Sequence, residues 1–446
     1  MSNNSKFDDL LTQLGTSKWN IIYFLAASFW VFMVPPQFIS GVYLAPAVNY
    51  TCRPPESEEI VQISKDSCYY STNGSSSVGL EDEPCTEWDF DTSVFTSTLT
   101  SEFSLVCKRD HLRATYQSIY MMGTIFSPLL AGYLADRYGR WRVVLVMQLV
   151  TSTIVISLCF IHSFTFIVVA RFVLGTVNLP TLFILDIMRN IQEESVAAAK
   201  ARETVQEGSE KLFKKLSRFL SLPGVLSNRV ITVVTVIVCL DNFAASLVFD
   251  GLNLSGDNYS ADPFLYIVLG GLMEVPGYTI NGPIIDRWGR RVPTALSFII
   301  CGILLLTLTF IPSGLSWLVV TLALAGKVCI SGAFQIIYVY SSELFPTEVR
   351  LQGLGAASVF GQLGSVILPY ITTYLGPLVP WAPSVIFASL SLMAGVITMA
   401  LHETAGEVLP DTITDLKNIG LRRNREKNVE STEMEQTRYK GGNVQE

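Results

Sequence analysis

The chain is divided into apolar blocks of roughly 20 residues with few or no charges, the length an α-helix needs to cross the hydrocarbon core of a bilayer. They fall near 21–48, 114–135, 143–161, 164–185, 230–250, 262–285, 292–311, 316–338, 353–374 and 382–401. The predicted fold class is therefore an all-α polytopic membrane protein with about ten transmembrane helices. Half of the 446 residues are hydrophobic and only 15% are charged, too apolar a balance for a soluble multidomain protein. A net charge of −7 supplies no basic patch for nucleic acid, and three His with eight scattered Cys form no metal cluster, so neither a nucleic-acid binder nor a zinc enzyme is expected. No cofactor is expected either. The first block is too long for a signal-peptide core and lacks a clear small-residue cleavage site, so it reads as a retained helix.

Orientation follows the basic residues. Arg137, Arg140 and Arg142 follow the second block, Arg287, Arg290 and Arg291 follow the sixth, and Lys211, Lys214, Lys215 and Arg218 lie in a long polar connection, which makes these sides and both termini cytoplasmic. The same parity puts 49–113 and the short segment around 251–261 outside. Both carry N-x-S/T triplets, at Asn49, Asn73, Asn253 and Asn258, that a lumenal enzyme can glycosylate. A further triplet at Asn3 falls on the cytoplasmic side. Cys52, Cys68, Cys85 and Cys107 share the large outside loop, where oxidising conditions permit two disulfides in any of three pairings. Cys159, Cys239, Cys301 and Cys329 sit singly in apolar helices as packing residues.

Two turns repeat one another. Gly132, Asp136, Arg137, Gly139 and Arg140 have the same spacing as Gly282, Asp286, Arg287, Gly289 and Arg290, each set after the second span of its half. The arginines alone could be positive-inside anchors; the matched Asp, Arg and Gly spacing signals a parallel duplication, the arrangement of the major facilitator superfamily, in which two six-helix halves surround a central site. Four spans follow Asp286 but only two follow Asp136, so the first half is short by two helices, with the junction near Phe183 to Asp186. The expected organisation is a cytoplasmic N-terminus (1–20), an N-terminal bundle of about four helices (21–185) with its large outside loop, a cytoplasmic central loop (186–229), a six-helix C-terminal bundle (230–402) and a cytoplasmic tail (403–446). The tail is expected to be mostly disordered. The alternation of basic and apolar residues from Glu210 to Leu220 suits either the anionic leaflet surface or a helix packed under the bundle.

The segments around Cys85, Trp88 and Asp91, around Glu102 and Cys107, from Gly132 to Arg140, and from Tyr340 through Glu343 and Pro346 to Arg350 resemble the organic cation/anion/carnitine transporter family, solute carrier family 22. His402 to Gly406 and Leu409 to Ile413 resemble the start of that family's C-terminal tail. The resemblance runs from Ile21 to about Leu416 and looks most like invertebrate members. It implies a plasma-membrane transporter, not an enzyme, with twelve spans; the motifs expected after the fourth and sixth helices are missing at the junction already located by symmetry.

Ionisable groups inside a span are costly, by about 3 kcal/mol each at its centre, and mark functional or paired positions. Asp241, Glu274 and Lys327 are the main ones seen in the sequence. Glu274 either attracts a cationic substrate or pairs with Lys327 to join two helices; Asp241 reads as structural. The resemblance adds Phe249, Gln335, Tyr338 and Gln362 as cavity-lining positions, where aromatic faces hold an amine by cation–π attraction. Gln362 stands where many cation-type relatives have Asp and many anion or carnitine types have Arg, so it does not reveal substrate charge. Asp136, Arg137, Arg140, Asp286, Arg287, Arg290, Glu343 and Arg350 read as gating residues whose pairs form in one conformation and part in the other. The expected function is alternating-access transport of small organic ions, most of all organic cations, with the substrate and the lipid bilayer as partners. The competing reading is a shortened form that does not transport and instead is retained or modulates full-length relatives. No phosphate-binding loop is present to drive a primary pump.

Overall fold

The computed structural model describes residues 37–177, 229–346 and 349–405, apart from 39, 42, 54–59, 64–67, 73–80, 139, 257–261 and 312–314. Nine long helices lie among the described residues: α1 (His111–Tyr138), α2 (Arg140–Leu158), α3 (Phe164–Val177), α4 (Arg229–Leu254), α5 (Pro263–Trp288), α6 (Arg291–Leu308), α7 (Ser316–Leu344), α8 (Arg350–Pro369) and α9 (Ala382–Thr398). Each coincides with one of the apolar blocks. Most of the first block, the central loop with its Glu210–Leu220 stretch, the helix junction near Asp186 and the tail from 406 onward lie outside the described residues.

Why these segments are membrane helices is visible on α6. Ala295, Phe298, Cys301 and Leu305 are buried, yet the opposite face is no less apolar, with Leu296, Ile300, Ile303 and Leu306 exposed. A helix apolar on all sides belongs in a core or in lipid. Among the described residues, segments of α4, α6, α7 and α8 with its continuation are long and apolar enough to cross a bilayer by length and composition; those of α2, α3 and α9 are apolar but shorter. Helix α5 carries Pro276 and Pro283 in its interior and starts on Asp262, whose carboxylate accepts the N–H groups of Phe264 and Leu265 at 3.0 and 3.2 Å. This is an N-cap with proline in the first turn, where its missing N–H is no loss.

The chain forms two compact units, Met1–Ser209 with Val366–Leu378, and Glu210–Ser365 with Val379–Glu446. The end of α8 and the π-helical turn Tyr370–Leu375 belong to the first unit. There Ser118 of α1 donates to the Val366 carbonyl at 2.8 Å. In the second unit, Val234, Ile237 and Val238 of α4, Tyr340 and Leu344 of α7, Phe345, Ala357 and Leu401 make a continuous core.

The connection between the first block and α1 folds, which its polar composition did not reveal. Strands β1 (Tyr50–Arg53) and β5 (Glu87–Phe90) pair antiparallel with Cys52 opposite Trp88, while β2 (Ile60–Ile63), β3 (Tyr69–Thr72) and β4 (Glu81–Pro84) form an antiparallel sheet. Disulfides join Cys52 to Cys85 and Cys68 to Cys107, so of the three pairings left open the chain adopts this one. Asn49 is exposed at the edge of this fold, whereas Asn253 is not: α4 runs on to Leu254 and leaves Asn253 only 8% exposed. A glycan at Asn253 would need that side chain freed from the helix. Asn73 and Asn258 lie outside the described residues.

Helices α1 and α3 touch backbone to backbone. A Cβ at Gly175 would stand 2.1 Å from the Tyr120 carbonyl oxygen, and one at Gly123 would stand 2.3 Å from that of Phe172. Small residues allow this approach where lipid supplies no hydrophobic drive between helices. Gly175→Leu is expected to destabilise the first unit by about 1–3 kcal/mol through overpacking, read as a lower unfolding midpoint of the detergent-solubilised protein. An unchanged midpoint would show that the two helices are not held in contact at this point.

Candidate functional site

The second unit gathers ionisable groups between its helices. Lys327 of α7 is 2% exposed, and its Nζ lies 3.1 Å from Glu274 Oε1 of α5. Gly270, one turn before Glu274, makes the room, because a Cβ there would meet Lys327 Nζ at 2.5 Å. Of the two roles open to Glu274, the structure displays the pairing. A third group joins them. Asp250, near the outer end of α4 and 5% exposed, accepts the Ser365 hydroxyl of α8 at 2.5 Å and interacts electrostatically with Glu274. The apolar run had been read as ending at this residue, and the continuation of α4 to Leu254 is what puts Asp250 inside. Asp241, fully buried, accepts the Thr398 hydroxyl of α9 at 3.0 Å, while its second oxygen has no hydrogen-bond partner.

The residues suggested by resemblance lie on α4, α7 and α8 of the second unit. Phe249 stacks on Phe334 of α7 with ring centroids 5.5 Å apart. Gln335 and Tyr338 are exposed on α7, and Gln362 is half-buried on α8, one turn before Ser365.

A second constellation forms where α5 turns into α6. Gly289 has φ +80, a left-handed conformation that favours glycine. A Cβ there would also sit 2.5 Å from the Glu403 carboxyl carbon. That carboxylate, just past α9, accepts the backbone N–H groups of Arg290 and Arg291 at 2.8 and 3.0 Å and so caps the start of α6. Burial pushes the Glu403 carboxyl up, but the N–H groups of Arg290, Arg291, Ala405 and Thr404 outweigh it and hold the group below its ordinary value. Arg290 reaches Glu343 at the end of α7, with Nη2 donating to Oε1 at 3.2 Å and Nε 3.1 Å from Oε2. Thr404 donates its hydroxyl to the other Glu343 oxygen at 2.5 Å, and Arg291 donates to the Met399 carbonyl. Of the other residues read as gating, Arg350 donates to the Phe345 carbonyl at 3.1 Å, Asp286 and Arg287 are exposed, and Arg137 lies over the Tyr138 ring. The side chains of Asp136 and Arg140 lie outside the described residues. Glu403 and Thr404 had been noted only as part of a tail motif; nothing in their spacing announces a cap for a helix 112 residues earlier.

The first unit holds a buried cation that the sequence displayed openly. Arg171, within the apolar run of α3, is 2% exposed; its guanidinium lies 4.6 Å from the Tyr116 ring centre and 4.4 Å from that of Tyr120. It donates to the Gln37 carbonyl and to Gln117 Oε1, both at 3.2 Å. Among the described residues no carboxylate pairs with it. A cavity of about 580 Å³ lies elsewhere, lined by Cys68, Trp88, Phe103 and Lys108 beside the disulfide-bonded sheets.

Residues 230–424 match the description of the Major Facilitator Superfamily. The organic cation transporter protein of Drosophila melanogaster is 26% identical over 523 aligned positions, covering 93% of this chain and 95% of that protein. Solute carrier family 22 member 6 of Mus musculus is 26% identical, with 92% and 94% covered, and organic cation/carnitine transporter 2 of Homo sapiens is 25% identical, with 76% and 75% covered. In fold, the crystal structure of a D-xylose–proton symporter matches with a TM-score of 0.50 and 13% identity, over 68% of this chain and 90% of that one. In part of its length the chain is thus similar to the major facilitator superfamily, and along most of its length to members of solute carrier family 22. Its long apolar helices are those of a multi-pass membrane protein.

Breaking a buried ion pair from one side leaves the other charge unmatched, at a penalty of about 3–5 kcal/mol. Lys327→Met is therefore expected to lose most folded protein at the membrane, and the pair Glu274→Gln with Lys327→Met to recover much of it. Equal loss in both would remove the pairing from the account. For the cap, Glu403→Gln is expected to raise amide exchange at the start of α6 about fivefold, near 1 kcal/mol. Because the folded-state pKa is depressed, the stabilisation is present above the ordinary carboxylate value of 4.5 and is lost as pH falls below it. Exchange at Arg291 that ignores both the substitution and the acid range would refute the cap.

Proposed function

We propose that this protein carries small organic ions, organic cations foremost, across the plasma membrane by alternating access. The observation that carries the reading is similarity along nearly the whole chain, 93% of it, to a protein named as an organic cation transporter. The buried Glu274–Lys327 pair and the neighbouring Phe249–Phe334 stack are consistent with a substrate-handling region in the second unit, since charges are retained inside membrane helices where they serve function or pairing. Gln335, Tyr338 and Gln362 complete the proposed lining. The Arg290–Glu343 pair with its Glu403 cap acts as a latch that closes in one state and opens in the other. A cation moved without a counter-charge would be driven inward by the membrane potential, at about 2.3 kcal/mol per charge per 100 mV.

A second reading has its own support. The alignment with the Drosophila relative spans 523 positions, longer than the entire 446-residue chain, so at least 77 of its positions face a gap here. That suits an internal loss of two helices near Asp186, and a shortened form that modulates full-length relatives without transporting.

Uptake of labelled tetraethylammonium and carnitine into cells with verified surface protein, at two membrane potentials, separates the two. Saturable tetraethylammonium uptake above mock cells is the expected result, and its response to potential tells unaccompanied transport from exchange. Surface protein without uptake of either compound, regained only when a relative's helix pair is inserted at the junction, would replace the first reading by the second.

A further inference from the structure

The cluster in the second unit contains one acid too many. Glu274 and Lys327 are matched at 3.1 Å, but Asp250 brings a second carboxylate into electrostatic contact with Glu274. Its hydrogen-bond donor, Ser365, is neutral. Among the described residues, every element packed around the site has the same message. Helix α5 adds Tyr278, one turn beyond Glu274, and Tyr266, whose hydroxyl is committed to the Leu252 carbonyl at 2.9 Å. Helix α7 adds Lys327, already taken by Glu274. Helix α9, which sets Phe387 against Gly251, has no titratable residue along its length, and α8 has none within the membrane-spanning stretch around Ser365. With all three groups ionised the cluster carries one uncompensated negative charge among apolar helices, where a lone charge is not tolerated and either finds a partner or is neutralised.

Two further features say what kind of positive charge fits. The Glu274 side chain is 25% exposed, so the cluster is not sealed. Phe249, next to Asp250 in the sequence, stacks on Phe334 of α7 with ring centroids 5.5 Å apart. Aromatic faces beside a carboxylate suit a compact quaternary or protonated amine, whose charge is diffuse and weakly hydrated.

We propose that Asp250 holds a proton when the site is empty and releases it to water when a monovalent organic cation binds, so that the cluster stays neutral in both states. The O–H bond of the carboxylic acid breaks, its electron pair remains on the carboxylate, and the bound cation supplies the positive charge the proton took away. This rests on the organic-cation reading above and adds the charge of the substrate and the group that selects it.

The test uses the purified full-length protein in nanodiscs, with tetraethylammonium titrated by calorimetry in two buffers of different ionisation enthalpy at about pH 7. The difference between buffers counts the protons released. About one proton per bound cation is expected for the natural protein, and close to none for Asp250→Asn, which also binds about tenfold more weakly. Asp250→Glu retains the release. If Asp250→Asn fails to fold, the natural protein keeps the test decisive, since its tetraethylammonium affinity is expected to rise several-fold from about pH 6 to about pH 8 as the competing proton is lost. Tetraethylammonium binding without proton release, undiminished release in Asp250→Asn, or a natural-protein affinity that does not change with pH overturns the inference while leaving the organic-cation reading in place. No binding by the folded natural protein overturns that reading and the inference with it.

Discussion

In hydrocarbon, a backbone amide or a charge has no water to fall back on, and each must find its partner within the protein. The helices obey this throughout. Helix α5 accommodates two interior prolines, with the Thr279 hydroxyl donating back to the Val275 carbonyl at 2.9 Å. The same requirement sorts the buried charges by the partner each has found: an acid for Lys327, aromatic rings and amide oxygens for Arg171, hydroxyls for Asp241 and Asp250. A hydroxyl offers a hydrogen bond but no charge, which makes the two aspartates different in kind from the glutamate.

The Arg290, Glu343 and Glu403 network obeys a different physics. It lies at the ends of helices α6, α7 and α9, half-buried, where ion pairs are individually weak and readily exchanged. What strengthens it is geometry. A left-handed glycine at 289 turns the chain so that two consecutive N–H groups point at one carboxylate, and Glu343 bridges an arginine on one side to Thr404 on the other. Such a network is stable enough to define a state and weak enough to be left, which suits the proposed latch.

The positions of the helices were legible in the sequence because length and continuous apolarity are local properties, and nine blocks coincide with nine helices among the described residues. The repeated Asp-Arg-Gly-Arg turns pointed to the superfamily for the same reason. Boundaries were less legible. Ending the fourth described helix at 250 placed Asp250 at a membrane edge and Asn253 in a loop, and four more helical residues reversed both readings. The strands between Tyr50 and Phe90 went unseen because their short, polar segments are held by disulfides and cross-strand pairing more than by an apolar alternation. Arg171 was visible in its apolar run and was passed over, although a charge in such a run is itself the signal.

By itself, then, the sequence determined that the chain spans a membrane, that its halves are related, which family it resembles, and that Glu274 and Lys327 are buried charges in need of an account. Only the tertiary structure decided who partners whom. Pairing between Glu274 and Lys327, 53 residues apart in the sequence, the interaction of Asp250 with Glu274, the choice among three disulfide arrangements and the cap that Glu403 places on a helix begun 112 residues earlier all depend on distances that close only when helices pack. Hydropathy is written residue by residue, whereas the compensation of a buried charge belongs to whichever group the fold brings within reach.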